Sequence, residues 1–279
     1  MFCAPSALRR CRGSDLGAPL PRRIRMTLQA TQDESMRRRR PNHAGRTAES
    51  HAAFLLPHLR PGMALLDLGC GPGSITVGLA AAVAPGETTG IDLDTEPIDG
   101  VIVVTGDVMN LPFPDDSFDA IYASALLQHL PDPLAALREA RRVARPGAVI
   151  GVVDADWDGE LLYPTNDVIR RSMDIARKLR EGTSPFVGKQ LRHLLTEAGF
   201  CRTEGYARVT HHGTADEVYG VGSFTASLFR YPAAVNRAVA EGWATAEELE
   251  EMSLAWTAWG EQPGAFLARF WCEAIGWAD

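Results

Sequence analysis

The sequence predicts an α/β fold, a doubly wound and mostly parallel sheet with helices on both faces. Three observations lead there. Short apolar, β-branched runs alternate with helical stretches, a glycine-rich turn joins the first strand to its helix, and acidic residues stand at the ends of successive strands.

The pattern becomes regular at Thr47. A short helix over 47–59, bent or ended around Pro57, leads through Arg60-Pro61-Gly62 into the apolar run Ala64-Leu65-Leu66. Asp67-Leu68-Gly69-Cys70-Gly71-Pro72-Gly73 comes next, then a helix over 74–83 that stops at Pro85-Gly86. Strand, glycine turn and helix open a βαβ unit. Residues 88–92 and 101–105 read as the second and third strands, and 118–123 as the fourth. Asp132-Pro133 starts a helix, with Asp as cap and Pro in the first turn. Leu134, Leu137 and Val143 take its buried side, and Pro146-Gly147 ends it. Residues 148–153 form strand five.

The remainder is more helical. Helices are expected over 167–180 and 189–198, the second closed by Gly199, with a strand over 201–210. Thr214 with Glu217 and Thr245 with Glu248 are capping boxes that open two helical segments. In the second, Leu249, Met252, Trp256 and Trp259 recur at helical spacing, and a strand over 266–275 brings the sheet to seven.

Bulk properties narrow the function classes. In the 279 residues no apolar run approaches the ~20 residues that span a bilayer, so no membrane span is expected. The five cysteines are odd in number, widely spaced and without a C-x-x-C pair, which speaks against a disulfide scaffold or a zinc site and for a reducing, cytoplasmic setting. Residues 1–46 carry eleven Arg against three acids, a net of +8, while the whole chain is at −7, leaving −15 for the body. An acidic body speaks against nucleic acid as the main substrate, because phosphate neutralisation needs a basic face. The basic head, densest at Arg37 to Arg40, is compatible with a nucleic-acid arm or a transit peptide. Its low apolar content favours a disordered extension over 1–45, or an upstream start with initiation at Met26 or Met36. The rest, 46–279, is expected to form one folded domain.

Gly69-x-Gly71-x-Gly73 is not the dinucleotide fingerprint, which would need glycine where Ser74 stands, and no Lys-Ser/Thr follows to make a phosphate loop. The turn instead resembles motif I of the class I S-adenosylmethionine-dependent methyltransferases. Gly90-Ile91-Asp92, the stretch from Gly106-Asp107-Val108 through Leu111-Pro112-Phe113 to Phe118-Asp119, Leu127-Gln128-His129-Leu130 and Arg145-Pro146-Gly147 follow in that family's order. The likeness covers residues 47–154 and is similar to the ubiquinone and menaquinone C-methyltransferase branch (type 11), which also holds many enzymes of secondary metabolism.

The resemblance implies a Rossmann-like fold with a seven-stranded sheet, and S-adenosyl-L-methionine as cofactor. It assigns Gly69, Gly71 and Gly73 to a bare-backbone cradle for the methionyl chain. Asp67 would meet the ammonium, Asp92 the ribose hydroxyls, and Asp107 with the Val108 amide the adenine edge. One departure stands out: only eight residues, 93–100, separate strands two and three, where the family has a helix. Eight extended residues reach about 26 Å, enough to return along a strand of ~17–20 Å. A helix-less strap, or a segment lost in the gene model, accounts for the spacing.

Candidate chemistry follows strands four and five. His129 is a candidate base or acceptor-positioning group, or else a structural histidine. Asp154 and Asp156, after strand five, would contact a cationic amine or an indole N–H, or cap a loop. No metal site is expected. The cofactor core is placed at 46–157, and lid segments at about 158–190 and 213–262, where Phe224, Trp256 and Trp259 are candidates to line the acceptor pocket or to pack a core. The expected partner is a small-molecule methyl acceptor, aromatic or alkaloid-like, with quinone C-methylation or cofactor binding without transfer as alternatives.

Overall fold

The computed structural model describes residues 45–279; the basic extension expected before them lies outside the described residues. Seven strands make one sheet: β1 (Leu65–Leu68), β2 (Thr88–Asp92), β3 (Ile102–Thr105), β4 (Phe118–Ser124), β5 (Ala144–Tyr163), β6 (Arg202–His212) and β7 (Phe266–Trp277). Their order is β3-β2-β1-β4-β5-β7-β6. The first five pair in parallel, and β7 runs antiparallel to both its neighbours. All four residues of β1 are buried, as a central parallel strand covered on both faces requires.

Before the sheet, α1 (Ala48–His51) is capped by Thr47, and a 3₁₀ turn over Leu56–His58 replaces the rest of the expected helix. Pro57 lacks an N–H and disfavours α geometry in the residue before it, so the longer helix cannot form. Helix α2 (Thr76–Val83) starts two residues later than expected. The glycine turn consumes them, with positive φ at Gly69, Gly71 and Gly73.

The connection from β2 to β3 carries no helix. Between Asp92 and Ile102 the chain returns in bends and turns, and β3 pairs in parallel from Thr89↔Ile102 to Asp92↔Thr105. Thr95 Oγ1 lies 2.7 Å from Thr105 Oγ1, and Ile98 packs so closely on the glycine turn that a Cβ at Gly73 would sit 2.6 Å from it.

Helix α3 (Pro133–Val143) is capped by Asp132, whose side chain accepts the Ala135 N–H, and it buries Ala136, Leu137, Ala140 and Val143. It ends at Val143 and not at Pro146-Gly147, because Ala144 already pairs with Phe118 and Arg145 is held by Asp119 at 2.6 Å. Strand β5 is also longer than expected, running from 144 to 163, so Asp154 and Asp156 stand within the strand and not after it. Pairing with β7 extends it, from Val149↔Trp277 to Tyr163↔Phe266. A bulge between Asp156 and Leu161 sets residues 157–160 opposite the single residue Arg269.

The later helices are α4 (Asp167–Lys178), α5 (Leu191–Glu197), α6 (Ala215–Leu228), α7 (Pro232–Ala240) and α8 (Ala246–Gly260). Both expected capping boxes are formed, at Thr214/Glu217 and Thr245/Glu248. Helices α4, α6, α7 and α8 enclose an apolar core of their own, separate from the two that flank the sheet. Trp256 and Trp259 belong to that core. Their indole N–H groups donate to Ser172 Oγ at 2.7 Å and to the Pro164 carbonyl at 3.1 Å, so neither lines an open pocket. Phe224 on α6 is exposed. No helix among the described residues is long and apolar enough to cross a membrane.

Candidate active site

The glycine turn is sewn to β2 by main-chain bonds. The Gly69 and Cys70 N–H groups donate to the Ile91 carbonyl at 2.7 and 3.2 Å, and the Gly71 N–H donates to Asp92 Oδ2 at 2.9 Å. The other Asp92 oxygen accepts the Asp94 N–H. A cleft opens beside the turn, lined among others by Arg46, Asp67, Gly69, Gly71, Tyr122 and Ser124. A Cβ added at Gly71 would meet nothing within 4 Å, so the turn presents bare backbone to open space.

Asp67 is buried at the end of β1 and accepts the Thr76 hydroxyl at 2.6 Å. Burial pushes its carboxyl up to about 7; the Thr76 bond opposes the shift and the Asp92 charge adds to it. Asp107 is exposed just past β3, where its side chain accepts the Met109 N–H at 2.9 Å, while Val108 is buried. The Gly106 N–H donates to the Asp92 carbonyl at 3.0 Å, tying the Asp107 turn to the end of β2. The three expected acids therefore sit at the carboxyl ends of β1, β2 and β3, the edge on which open α/β sheets bind ligands.

The next two strand ends carry the other candidates. His129 ends a 3₁₀ turn (Leu127–His129) after β4 and is half-buried. Asp154 is fully buried, accepting the Gln128 and Ala155 N–H groups at 3.1 Å. Burial pushes it up to about 7, against those bonds and the Arg180 charge. Asp156 accepts the Asp158 and Lys189 N–H groups at 3.0 Å, with the Lys189 ammonium 3.8 Å away. Both carboxylates thus hold main chain from neighbouring segments.

Two features at this edge were missed in the sequence. Gln128 Oε1 accepts from Trp157 Nε1 at 2.9 Å and from Arg180 Nη2 at 2.7 Å, and the Arg180 guanidinium lies 4.2 Å from the Trp157 ring centroid. Gln128 adjoins His129 in the sequence, which was its only signal. Arg46 was counted with the basic head, yet it lines the cleft. Tyr122 closes the cleft floor, its hydroxyl donating to the His51 carbonyl at 2.8 Å, and burial raises its phenol. No group of three His, Cys, Asp or Glu side chains among the described residues could hold a metal ion.

A zwitterionic ligand without phosphate fits this donor set: bare amides, a carboxylate at the floor and acids on two further strand ends. Comparison with known proteins points the same way. Residues 66–152 match the family model of a methyltransferase domain. An uncharacterised methyltransferase of Schizosaccharomyces pombe is 32% identical over 196 residues, 63% of this chain and 70% of that relative. A demethylmenaquinone methyltransferase of Staphylococcus aureus is 32% identical over 167 residues, 51% of this chain and 69% of its own length. In fold, the crystal structure of the YcgJ protein of Bacillus subtilis is similar with a TM-score of 0.53 at 16% identity, over 81% of this chain and 97% of that one.

Proposed function

From the premise that the chain belongs to the class I S-adenosylmethionine-dependent methyltransferases, we propose that it methylates a small aromatic acceptor held over the ends of β4 and β5. The observation that carries this reading is the adjacency of two surfaces along one sheet edge. The glycine cleft lies on β1, and the Gln128–Trp157–Arg180 group stands after β4 and within β5.

When bound, S-adenosylmethionine supplies an electrophilic methyl group on a sulfonium, and in-line displacement asks mainly for positioning. Asp67 faces the ammonium from the cleft floor. Asp92 keeps lone pairs beyond those given to Gly71 and Asp94, and these accept the ribose hydroxyls. Asp107 with the Val108 amide reads the adenine edge. His129 takes the proton when the acceptor must lose one. Asp154 and Asp156 act through the amides they hold, fixing Gln128 behind the acceptor and anchoring Lys189 to β5.

An aromatic acceptor suits Trp157, whose ring is held in place by Gln128 and Arg180. A cationic, alkaloid-like one finds less support, since Asp154 and Asp156 are already engaged. Quinone C-methylation stands as the second reading, favoured by the demethylmenaquinone methyltransferase relative. Segments 158–190 and 213–262 form the lid over the acceptor, ordered on their own core. The test is mass spectrometry of the purified protein with S-adenosylmethionine and a panel of phenols, hydroxyindoles and demethylated quinones. A product heavier by one methyl group, with S-adenosylhomocysteine released, is expected from a phenol or indole. Cofactor binding with no product from any acceptor would leave a binding protein without transfer.

A further inference from the structure

Two guanidinium groups share one indole beside the cleft. Arg46 lies 5.1 Å from the Trp271 ring centroid and Arg208 lies 5.3 Å from it. Arg208 stands on β6 directly across the ladder from Trp271, and its Nε is paired with Glu273 at 2.7 Å. Its Nη2 is buried and has no hydrogen-bond partner among the described residues. Arg46 comes from the segment before α1 and reaches the cleft lining. Burial pulls its guanidinium down, Tyr122 and Asp154 oppose that, and the Arg208 charge adds to it.

Among the described residues the charges do not balance. The two cations meet one paired carboxylate, Glu273, and Asp154, whose charge also acts on Arg46, is engaged by two amides and raised by burial. A desolvated excess of one positive charge, with a donor left open, costs free energy unless an anion completes it. Guanidinium forks match carboxylate geometry, and an excess of one charge suits a monoanion.

We propose that Arg46 and Arg208 form a carboxylate-binding site against Trp271, and that the methyl acceptor carries the carboxylate. The inference rests on the methyltransferase reading of the same opening and names the acceptor's charge. The methionyl carboxylate of the cofactor is the other source of the same chemistry. Arg46 reaches the glycine cleft and could serve either source, so the assignment turns on Arg208. It stands on β6 opposite Trp271 on β7, and β7 is three strands from the glycine turn on β1, about 14 Å at ~4.8 Å per strand, which argues for the acceptor. The indole, with His51 edge-on at 5.7 Å, gives a flat apolar wall beside the two cations, which favours an aromatic acid.

The test is calorimetric binding to the full chain saturated with S-adenosylhomocysteine. The probes are benzoates, indole carboxylates and hydroxynaphthoates, each paired with its amide. At least one acid should bind about tenfold or more tightly than its amide. R46Q and R208Q should abolish that preference and R208K retain part of it, with R208Q binding S-adenosylhomocysteine as the native chain does. Equal binding of acids and amides, or a preference surviving in a natively folded R46Q/R208Q variant, would overturn the site. Loss of S-adenosylhomocysteine affinity in R208Q, with 5′-methylthioadenosine affinity unchanged, would give the site to the methionyl carboxylate and overturn the acceptor assignment. Failure of the methyltransferase reading would show separately, as no S-adenosylhomocysteine binding by the native chain.

Discussion

The Asp92 carboxylate accepts the Gly71 N–H at 2.9 Å, so the acid that ends β2 also holds the turn that leaves β1. One side chain thus shapes the cradle and keeps further lone pairs for the proposed ribose contact. Asp92→Ala should weaken S-adenosylhomocysteine binding by about 1–3 kcal/mol, the usual effect of losing a hydrogen bond to a charged group. Asp92→Asn, which still accepts from Gly71, should fall between the two. Calorimetry decides it, and unchanged affinity in the Ala variant would remove Asp92 from ribose binding.

Asp67 makes the cleft sensitive to pH. Its carboxyl is near 3.8 when unfolded and is raised by burial to about 7 in the fold. Between these values the native state keeps a proton that the unfolded chain has lost, so stability falls as pH rises through that window. Asp154 contributes the same slope. Asp67→Asn should melt like the native chain below the window and relatively higher above it. Cofactor affinity should run the opposite way, because an ammonium favours the ionised carboxylate. S-Adenosylhomocysteine binding should tighten from about pH 6 to 8 in the native chain and less so in Asp67→Asn. Parallel titration curves for the two proteins would count against the assignment.

Trp256 tests whether the proposed lid is held by its own core. The side chain is 2% exposed and bonded to Ser172, so Trp256→Ala removes packing and a hydrogen bond together. A cost of about 3–5 kcal/mol is expected. Hydrogen exchange should report it across α4, α6 and α8, with β1, β2 and β4 still protected and S-adenosylhomocysteine still bound. Equal loss of protection in the sheet would mean that the cores unfold as one.

Gly222 and Gly220 offer a matched pair within α6. A Cβ at Gly222 would lie 2.6 Å from Gly260 Cα and 2.7 Å from the Trp256 carbonyl, whereas one at Gly220 would meet nothing within 4 Å. Gly222→Ala should destabilise by about 1–3 kcal/mol through overpacking where α6 crosses α8. Gly220→Ala should stabilise by up to about 1 kcal/mol, because alanine loses less backbone entropy in a helix. Thermal melts that rank the two in reverse would refute the close crossing.

What could be read in the sequence was what neighbouring residues determine. Residues 88–92 were assigned as a strand and form one, since a β-branched run is bounded there by a Pro-Gly turn and an acid. The capping boxes at Thr214 and Thr245 were equally local. From the sequence, β5 stops at Val153, because Asp154 and Asp156 look like loop residues. Amides that accommodate them come from Gln128 and Lys189, far along the chain. Arg46 was hidden in a basic stretch whose composition masks one inward-facing member. Trp256 and Trp259 could not be told from pocket aromatics by spacing, because helical periodicity marks a buried face without naming what covers it.

The bulge in β5 has a consequence for how this scaffold can change its choice of acceptor. Four residues, 157–160, face only Arg269, while Asp156↔Phe270 and Leu161↔Ala268 stay in register on either side. Glu160 is paired with Arg269, so the surplus is clamped. Below it the strand lies in the sheet beside β4, and above it the strand pairs with β7 next to the core of the later helices. A residue gained or lost here is taken up within the slack, with no slip in either ladder. Pocket depth then becomes a matter of main-chain length, so selectivity can drift by insertion and deletion while every side chain around the glycine turn stays as it is.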